Sequence, residues 1–179
     1  VLNNINNLIG SDYNDNLAGD SHNNVLDGGR GADILIGGLG NDSYIVNLAS
    51  DIVNLASDIV TEKFNAGIDT VRSSVTYVMP GQVENLILMG TANINGTGNI
   101  LANRLIGNAA NNTLNGGVGA DTAMGGLGND IYFIDNANDL VAENINEGID
   151  KINSGVTLIL PENIEDLTLI TTATINGTG

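Results

Sequence analysis

Residues 28–45 read GGRGADILI-GGLGNDSYI, and residues 116–133 read GGVGADTAM-GGLGNDIYF. Each stretch holds two successive copies of a nine-residue pattern, G-G-x-G-x-D-x-U-x, in which U is a large apolar residue. Two of the copies carry a tyrosine at U, Tyr44 and Tyr132, and another carries the small Ala123. A period of nine is neither a helical period nor a heptad. It predicts six residues of turn followed by three of strand, with the middle strand residue pointing inward.

Weaker copies of the pattern surround these stretches, over about residues 10–54 and about residues 99–142. Apolar residues recur at every ninth position through Leu8, Leu17 and Leu26, and we find no segment with a convincing helical pattern. Because every copy contributes one inward-pointing residue, stacked copies can bury a continuous apolar core. The repeat therefore predicts an all-β solenoid.

A longer repeat of about 81 residues, equal to nine nonapeptides, lies over the short one, since INGTG at residues 94–98 returns at 175–179. We therefore divide the chain into a first long repeat, residues 1–98, and a second, residues 99–179, within one continuous solenoid. Each begins with a glycine-rich block and ends with a spacer. The spacers are residues 61–98 and 143–179. Within them, runs of Val, Ile, Leu and Thr predict strands at residues 71–78, 83–88, 156–160 and 164–170. Both chain ends fall inside a repeat, so we expect a segment of a longer protein.

A tandem duplication interrupts the first block, because NLASDIV at residues 47–53 is repeated at once as residues 54–60. Seven residues do not fit a pitch of nine. The duplication predicts a bulged surface loop or a local register shift, although an error in the assembled sequence would leave the same mark.

The composition excludes several classes of function. With 5 basic and 21 acidic residues, the formal net charge is −16, which argues against nucleic acid as a partner. There is no cysteine, and hence no disulfide framework or thiolate site. We find no signal peptide and no apolar run long enough to span a bilayer, so membrane insertion is not expected. His22 is the single histidine and nothing resembles a nucleophile elbow, so we expect no enzymatic activity in this segment.

The nonapeptide is the calcium-binding repeat of RTX, or hemolysin-type, proteins, and the chain resembles that family over its four copies. The resemblance implies a right-handed parallel β-roll in which two nonapeptides make one coil, so that loops 18 residues apart stack with calcium ions between them. The stacked pairs it implies are Asp15–Asp33, Asp33–Asp51, Asn24–Asp42, Asn103–Asp121, Asp121–Asp139 and Asn112–Asp130.

Calcium prefers six to eight hard oxygen ligands, which aspartates and turn carbonyls supply. Glycine lets such a turn adopt positive φ and aim its carbonyls at one point. The expected cofactor is therefore several Ca²⁺ ions. The candidate ligand positions of the first block are Asp15, Gly28, Gly29, Arg30, Gly31, Asp33, Gly37, Gly38, Leu39, Gly40, Asp42 and Asp51. Those of the second block are Gly116, Gly117, Val118, Gly119, Asp121, Gly125, Gly126, Leu127, Gly128, Asp130 and Asp139. Since stacked carboxylates repel one another, we expect folding to be coupled to calcium binding.

The resemblance implies a secreted or cell-surface protein, exported by a type I system and folded in extracellular calcium. One hypothesis is a structural stalk, matrix, filament or adhesin segment, with self-association end to end or within a surface layer. The alternative is the C-terminal calcium-binding module of a secreted RTX enzyme of protease, lipase or alginate epimerase type, with its catalytic domain elsewhere. A carbohydrate-binding module would need an aromatic or basic platform, which we do not find.

Overall fold

The computed structural model describes residues 5–47, 58–171 and 174–179. These residues form nineteen short strands, and no helix occurs among them. The odd-numbered strands of the main sheet are β1 (Asn7–Ile9), β3 (Val25–Asp27), β5 (Ser43–Val46), β7 (Thr70–Ser73), β9 (Asn85–Leu88), β11 (Arg104–Ile106), β13 (Thr122–Met124) and β15 (Leu140–Val141). The even-numbered strands are β2 (Asn16–Ala18), β4 (Ile34–Ile36), β6 (Ile59–Thr61), β8 (Tyr77–Val78), β10 (Gly96–Thr97), β12 (Thr113–Asn115), β14 (Ile131–Ile134), β16 (Lys151–Ser154) and β18 (Asp166–Leu169). The last two odd strands are β17 (Leu158–Ile159) and β19 (Gly177–Thr178).

Alternate strands belong to different sheets. The order β1-β3-β5-β7-β9-β11-β13-β15 forms an eight-stranded sheet, and β17 pairs with β19. Even-numbered strands form a three-stranded sheet, β2-β4-β6, and a six-stranded sheet, β8-β10-β12-β14-β16-β18. Their strand pairs are parallel. Each coil thus adds one strand to each of two faces, which makes a β-solenoid of about 9 turns and confirms the predicted fold class.

The register follows the nonapeptide within the glycine-rich blocks. Leu26 lies between Leu8 and Tyr44 in the first block, and Leu114 pairs with Tyr132 in the second. Apart from the coil that holds the tandem duplication, stacked residues in these blocks are 18 positions apart, as two nonapeptides per coil require. The middle residue of each strand is therefore always placed above its counterpart one coil earlier.

The core is the stack of these middle residues. Leu26, Leu35, Leu105 and Leu114 are at most 1% exposed, and they form one cluster with Ile152 and the other inward side chains. Each such leucine contributes about 1.5–3 kcal/mol by leaving water. Tyr44 and Tyr132 are the largest fully buried side chains among the described residues. Their rings extend the stack, and their hydroxyls reach the turn edge described below.

The spacers have coils of other lengths. Ser43 pairs with Thr70, 27 positions on, and Thr70 pairs with Asn85, only 15 positions on. The predicted single strand over residues 71–78 is divided into β7 and β8, because the buried Ser73 hydroxyl hydrogen-bonds both backbone groups of Val75 and makes a corner there. Ser154 makes the same corner with Val156 in the second repeat.

The tandem duplication changes the pairing distance in the first block. Ile34 pairs with Ile59, 25 positions on, where the regular spacing is 18. The second copy of the heptapeptide therefore supplies β6, and Val60 takes the buried core position. The bulge predicted within residues 47–60 falls mainly on residues 48–57, which lie outside the described ranges.

Candidate metal centre

Polar residues line the edge of each sheet, one directly before each strand. Along the eight-stranded sheet they form what we call the first row. From β3 onward, the first row consists of Asn24, Asp42, Asp69, Glu84, Asn103, Asp121 and Asp139. The backbone N–H of Asn24 donates to Asp42 Oδ1 at 2.7 Å, and the N–H of Asp42 donates to Asp69 Oδ1 at 2.7 Å. The N–H of Asp69 in turn donates to Glu84 Oε2 at 2.8 Å. In each of these pairs, one carboxylate oxygen thus accepts a hydrogen bond from the backbone of the preceding coil.

A second row has the same construction along the even-numbered strands. In the first block the N–H of Asp15 donates to Asp33 Oδ1, and that of Asp33 donates to Asp58 Oδ1. In the second block the N–H of Asn112 donates to Asp130 Oδ1, and that of Asp130 to Asp150 Oδ1. The periodic acidic residues are therefore structural acceptors as well as charges.

The structure brings together five of the six stacked pairs that the resemblance implied. Each pair is joined by a hydrogen bond from the backbone N–H of its first member to Oδ1 of its second. These pairs are Asp15–Asp33, Asn24–Asp42, Asn103–Asp121, Asp121–Asp139 and Asn112–Asp130. The sixth pair differs, because Asp33 donates to Asp58 where Asp51 was expected. Asp51 itself lies outside the described residues. Asp58 is the equivalent residue of the second heptapeptide copy, and it takes this place because β6 is built from that copy.

In most of the buried aspartates the protein does not use the other carboxylate oxygen, although Asp58 Oδ2 accepts a hydrogen bond from the N–H of Asn47. Five Oδ2 atoms are inaccessible to solvent and have no hydrogen-bond partner among the described residues. They belong to Asp33, Asp42, Asp69, Asp121 and Asp130. Burying an unpaired carboxylate oxygen is costly, so each such atom requires a missing partner such as an ion.

The first glycine of every full nonapeptide lies against the unpartnered oxygen of its own copy. A Cβ on Gly28 would collide with Asp33 Oδ2, and one on Gly125 would collide with Asp130 Oδ2. The second glycine of each copy has a positive φ, as Gly38 has at +117°, which disfavours side chains. Glycine therefore leaves a space beside each Oδ2 that any other residue would fill.

The remaining predicted positions lie in these turns. Arg30, Leu39, Val118 and Leu127 have exposed side chains that cannot offer an oxygen ligand, so only their backbone carbonyls could serve a cation. The other turn positions are Gly29, Gly31, Gly40, Gly116, Gly117, Gly119, Gly126 and Gly128. Oxygen atoms of two kinds, carboxylate and carbonyl, thus border the same edge, and this is the donor set that calcium prefers.

The structure adds acidic residues that the nonapeptide did not reveal. Ligand oxygens of Asp42, Glu62 and Asp69 all lie within 4.8 Å of one another, and we call these residues the first closing cluster. The second closing cluster consists of Asp130, Glu143 and Asp150 and meets the same distance limit. The sequence carried one signal for them, since the 81-residue repeat maps Glu62 onto Glu143 and Asp69 onto Asp150.

The electrostatics of these groups are unfavourable without a cation. Burial, with smaller contributions from neighbouring carboxylates, raises the pKa of Glu143 to about 8 and that of Glu62 to about 7. Burial likewise raises the pKa of Asp58, Asp69 and Asp130 to about 6. In the described ranges the short contact between a basic and an acidic side chain joins His22 to Asp20, so no lysine or arginine there neutralises a closing cluster.

Comparison with known families agrees with this geometry. The model of the RTX calcium-binding nonapeptide repeat matches residues 9–44 and 97–132, in four copies and over less than half of the chain. A comparison with curated proteins gives no match. The matched segments contain the four full nonapeptides and the weaker copies that precede them. In the part of the chain that the structure describes, no helix is long and apolar enough to cross a membrane.

Proposed function

We propose that this RTX calcium-binding repeat domain with a β-solenoid fold is a calcium-stiffened structural module of a secreted or cell-surface protein. Such a module would be a stalk, filament, matrix or adhesin segment. The observation that carries the proposal is the set of buried Oδ2 atoms left unpartnered beside the glycine turns. A bound calcium ion supplies the positive charge that these oxygens lack. The RTX repeat is a structural calcium-binding unit rather than a catalytic one.

The proposed ligands are the aspartates of both rows together with the turn carbonyls named above. Asp58 takes the place first assigned to Asp51, because its Oδ1 already caps Asp33. In the five aspartates with an unpartnered Oδ2, the two oxygens have separate tasks. Oδ1 fixes the spacing of successive coils through a backbone hydrogen bond, and Oδ2 faces the ion.

Repulsion between the carboxylates explains why such a module would stiffen only with calcium. Two charges 4.8 Å apart, the limiting distance within a closing cluster, repel by about 3 kcal/mol at an effective dielectric constant near 20. A whole domain is stable by only about 5–15 kcal/mol. A few such pairs can therefore keep the chain unfolded until calcium is present. Extracellular modules bind calcium with dissociation constants of about 10⁻⁴–10⁻³ M, which suits a protein that folds after export.

The solenoid form supports a role in spanning distance. About 9 turns at about 4.8 Å per strand spacing give a rod about 40 Å long. The terminal coils of a solenoid expose strand edges, so further repeats or a second copy can continue the stack.

A calcium titration followed by far-UV circular dichroism and light scattering tests this function. We expect a cooperative change from coil to β-structure at millimolar calcium, and growth in scattering if copies join end to end. Equal β-structure with excess chelator would refute calcium-dependent folding. Calcium-saturated protein that stays monomeric at high concentration would refute end-to-end assembly.

A further inference from the structure

We infer that each closing cluster is a calcium site distinct from the sites of the nonapeptide turns. In it, a spacer glutamate and a core tyrosine take the place that the glycine turn of the next coil has elsewhere in the block. The inference rests on the proposed calcium-binding function and assigns ligands that lie outside the nonapeptide. The residues concerned are Asp42, Tyr44, Glu62 and Asp69 in the first site, and Asp130, Tyr132, Glu143 and Asp150 in the second.

The first site gathers buried oxygens that have no partner. Asp42 is 2% exposed and Asp69 and Tyr44 are 0% exposed. Their free oxygens, Oδ2 of both aspartates and the Tyr44 hydroxyl, have no hydrogen-bond partner among the described residues, and neither has Glu62 Oε1. The hydroxyl is a separate observation from the acidic residues, because a core tyrosine normally satisfies its hydroxyl.

These oxygens converge on one point. A Cβ on Gly37 would collide with Asp42 Oδ2, Tyr44 hydroxyl and Glu62 Oε1 together. Two side chains of the nonapeptide and one of the spacer therefore direct an oxygen at the space where a Cβ on Gly37 would lie. A cation fits this convergence, since the ionised carboxylates can only accept and the hydroxyl oxygen can accept as well.

Comparison with earlier coils shows what Glu62 replaces. A Cβ on Gly19 would meet the carbonyl oxygen of Gly37, one coil on, and a Cβ on Gly107 would meet that of Gly125. At Gly37 the stack of glycine turns ends, and Glu62 Oε1 with the Tyr44 hydroxyl stands in the corresponding place. The side-chain oxygens of Glu62 and Tyr44 thus continue the column of oxygens that glycine carbonyls form in the earlier coils.

The second site repeats the arrangement independently. The N–H of Gly107 donates to the carbonyl of Met124, whereas the N–H of Gly125 donates to the Tyr132 hydroxyl at 2.7 Å and to Glu143 Oε1 at 3.0 Å. The Tyr132 hydroxyl also donates to Glu143, while Glu143 Oε2 and Asp130 Oδ2 have no partner among the described residues.

The donor set selects the class of ligand. Three carboxylates and a phenol are hard oxygen donors without nitrogen or sulfur, which favours calcium over the transition metals. The site lies where a block passes into its spacer, so its ion would join the two parts of each long repeat.

Calorimetric calcium titrations of the wild type, E62Q, E143Q and the double variant test the inference. We expect each single variant to lose one site or to bind at that site at least about tenfold more weakly, since even outer-shell substitutions cost about 10–100-fold. The double variant should lose two calcium sites, or bind calcium more weakly at both. The control is E162Q, which changes an exposed spacer glutamate and should titrate like the wild type.

The outcomes separate the two proposals. Wild-type protein that binds calcium, with E62Q and E143Q unchanged in number and affinity of sites, overturns the closing sites and leaves the proposed function intact. Wild-type protein that binds no calcium overturns both.

A second measurement covers variants that fail to fold. Terbium bound at these sites should show luminescence excited through tyrosine. Y44F and Y132F together should remove most of that emission, whereas Y13F, at an exposed ring, should not. Emission unchanged in Y44F/Y132F would refute the tyrosine contacts and, with them, the sites.

Discussion

The backbone N–H of Asp130 donates to Oδ1 of Asp150 at 2.8 Å, and both side chains are about 1% exposed. Oδ2 of Asp130 has no partner within the described residues. One buried carboxylate thus combines a structural acceptor with an oxygen that is free for a cation. This division of tasks makes the two functions separable by substitution.

We expect Asp130→Asn to weaken calcium binding without breaking the row. Asparagine has the same shape and offers one amide oxygen as an acceptor for the N–H of Asn112, in place of Asp130 Oδ1, but it removes the charge. The calcium midpoint of folding, measured by circular dichroism, should rise by about tenfold or more. Asp166→Asn, at an exposed position, is the control. An unchanged midpoint in Asp130→Asn would contradict the assignment of Oδ2.

Gly125→Ala should destabilise the calcium-loaded fold by about 1–3 kcal/mol, the usual cost of forcing extra atoms into a packed site. The added Cβ would collide with Asp130 Oδ2 and the Tyr132 hydroxyl. Urea unfolding in saturating calcium measures the loss. Gly81→Ala is the matched control, because no atom lies within 4 Å of its Cβ position. Equal stability of the two variants would show that the space beside Oδ2 is not needed.

Calcium-free protein should lose structure as the pH rises. Burial raises the pKa of Glu143 to about 8 from its ordinary value of 4.5, and that of Glu62 to about 7. A raised folded-state pKa means that the protonated form favours folding, so this stabilisation is complete below about pH 4.5 and is lost as the pH rises through about 7–8. Circular dichroism in chelator should therefore show more β-structure at pH 5 than at pH 8.5.

The groups facing Glu143 are Asp130, Asp150, Glu147 and the Tyr132 hydroxyl, and none of them is a cation. The double variant E62Q/E143Q separates the buried glutamates from the general fall in negative charge at low pH. Its pH dependence should be shallower than that of the wild type. A profile as steep as the wild type would assign the effect to the other acidic residues.

Much of this architecture could be predicted from the nonapeptide. A nine-residue period fixes the coil, so Leu26 had to stack between Leu8 and Tyr44, and Asp130 had to follow Asn112. The periodicity ends in the spacers, where coil length is set by corners such as that of Ser73 and by hydrogen bonds between residues distant in sequence. Spacer side chains therefore reach the closing clusters from coils of irregular length.

Glu62 is a site residue that the repeat spacing could not predict. It belongs to no nonapeptide, and its approach to Gly37 depends on a chain path that repeat spacing does not determine. Asp58 was missed for a related reason. Two identical heptapeptides offered the same aspartate, and only the pairing of Ile34 with Ile59 distinguishes the copies.

The same pairing leads to a prediction about the duplication. Deleting residues 47–53 or residues 54–60 gives an identical chain, because the two heptapeptides have the same sequence. In that chain Ile34 and its strand partner are 18 positions apart, the spacing found elsewhere in the blocks. Loop-closure entropy changes slowly with length, so the deletion should alter the free energy of unfolding by less than about 1 kcal/mol in saturating calcium. Urea unfolding, with the calcium midpoint measured in parallel, decides the matter. A chain that no longer folds, or a midpoint several-fold higher, would mean that the first copy contributes ligands or packing of its own, and Asp51 would then return as a candidate.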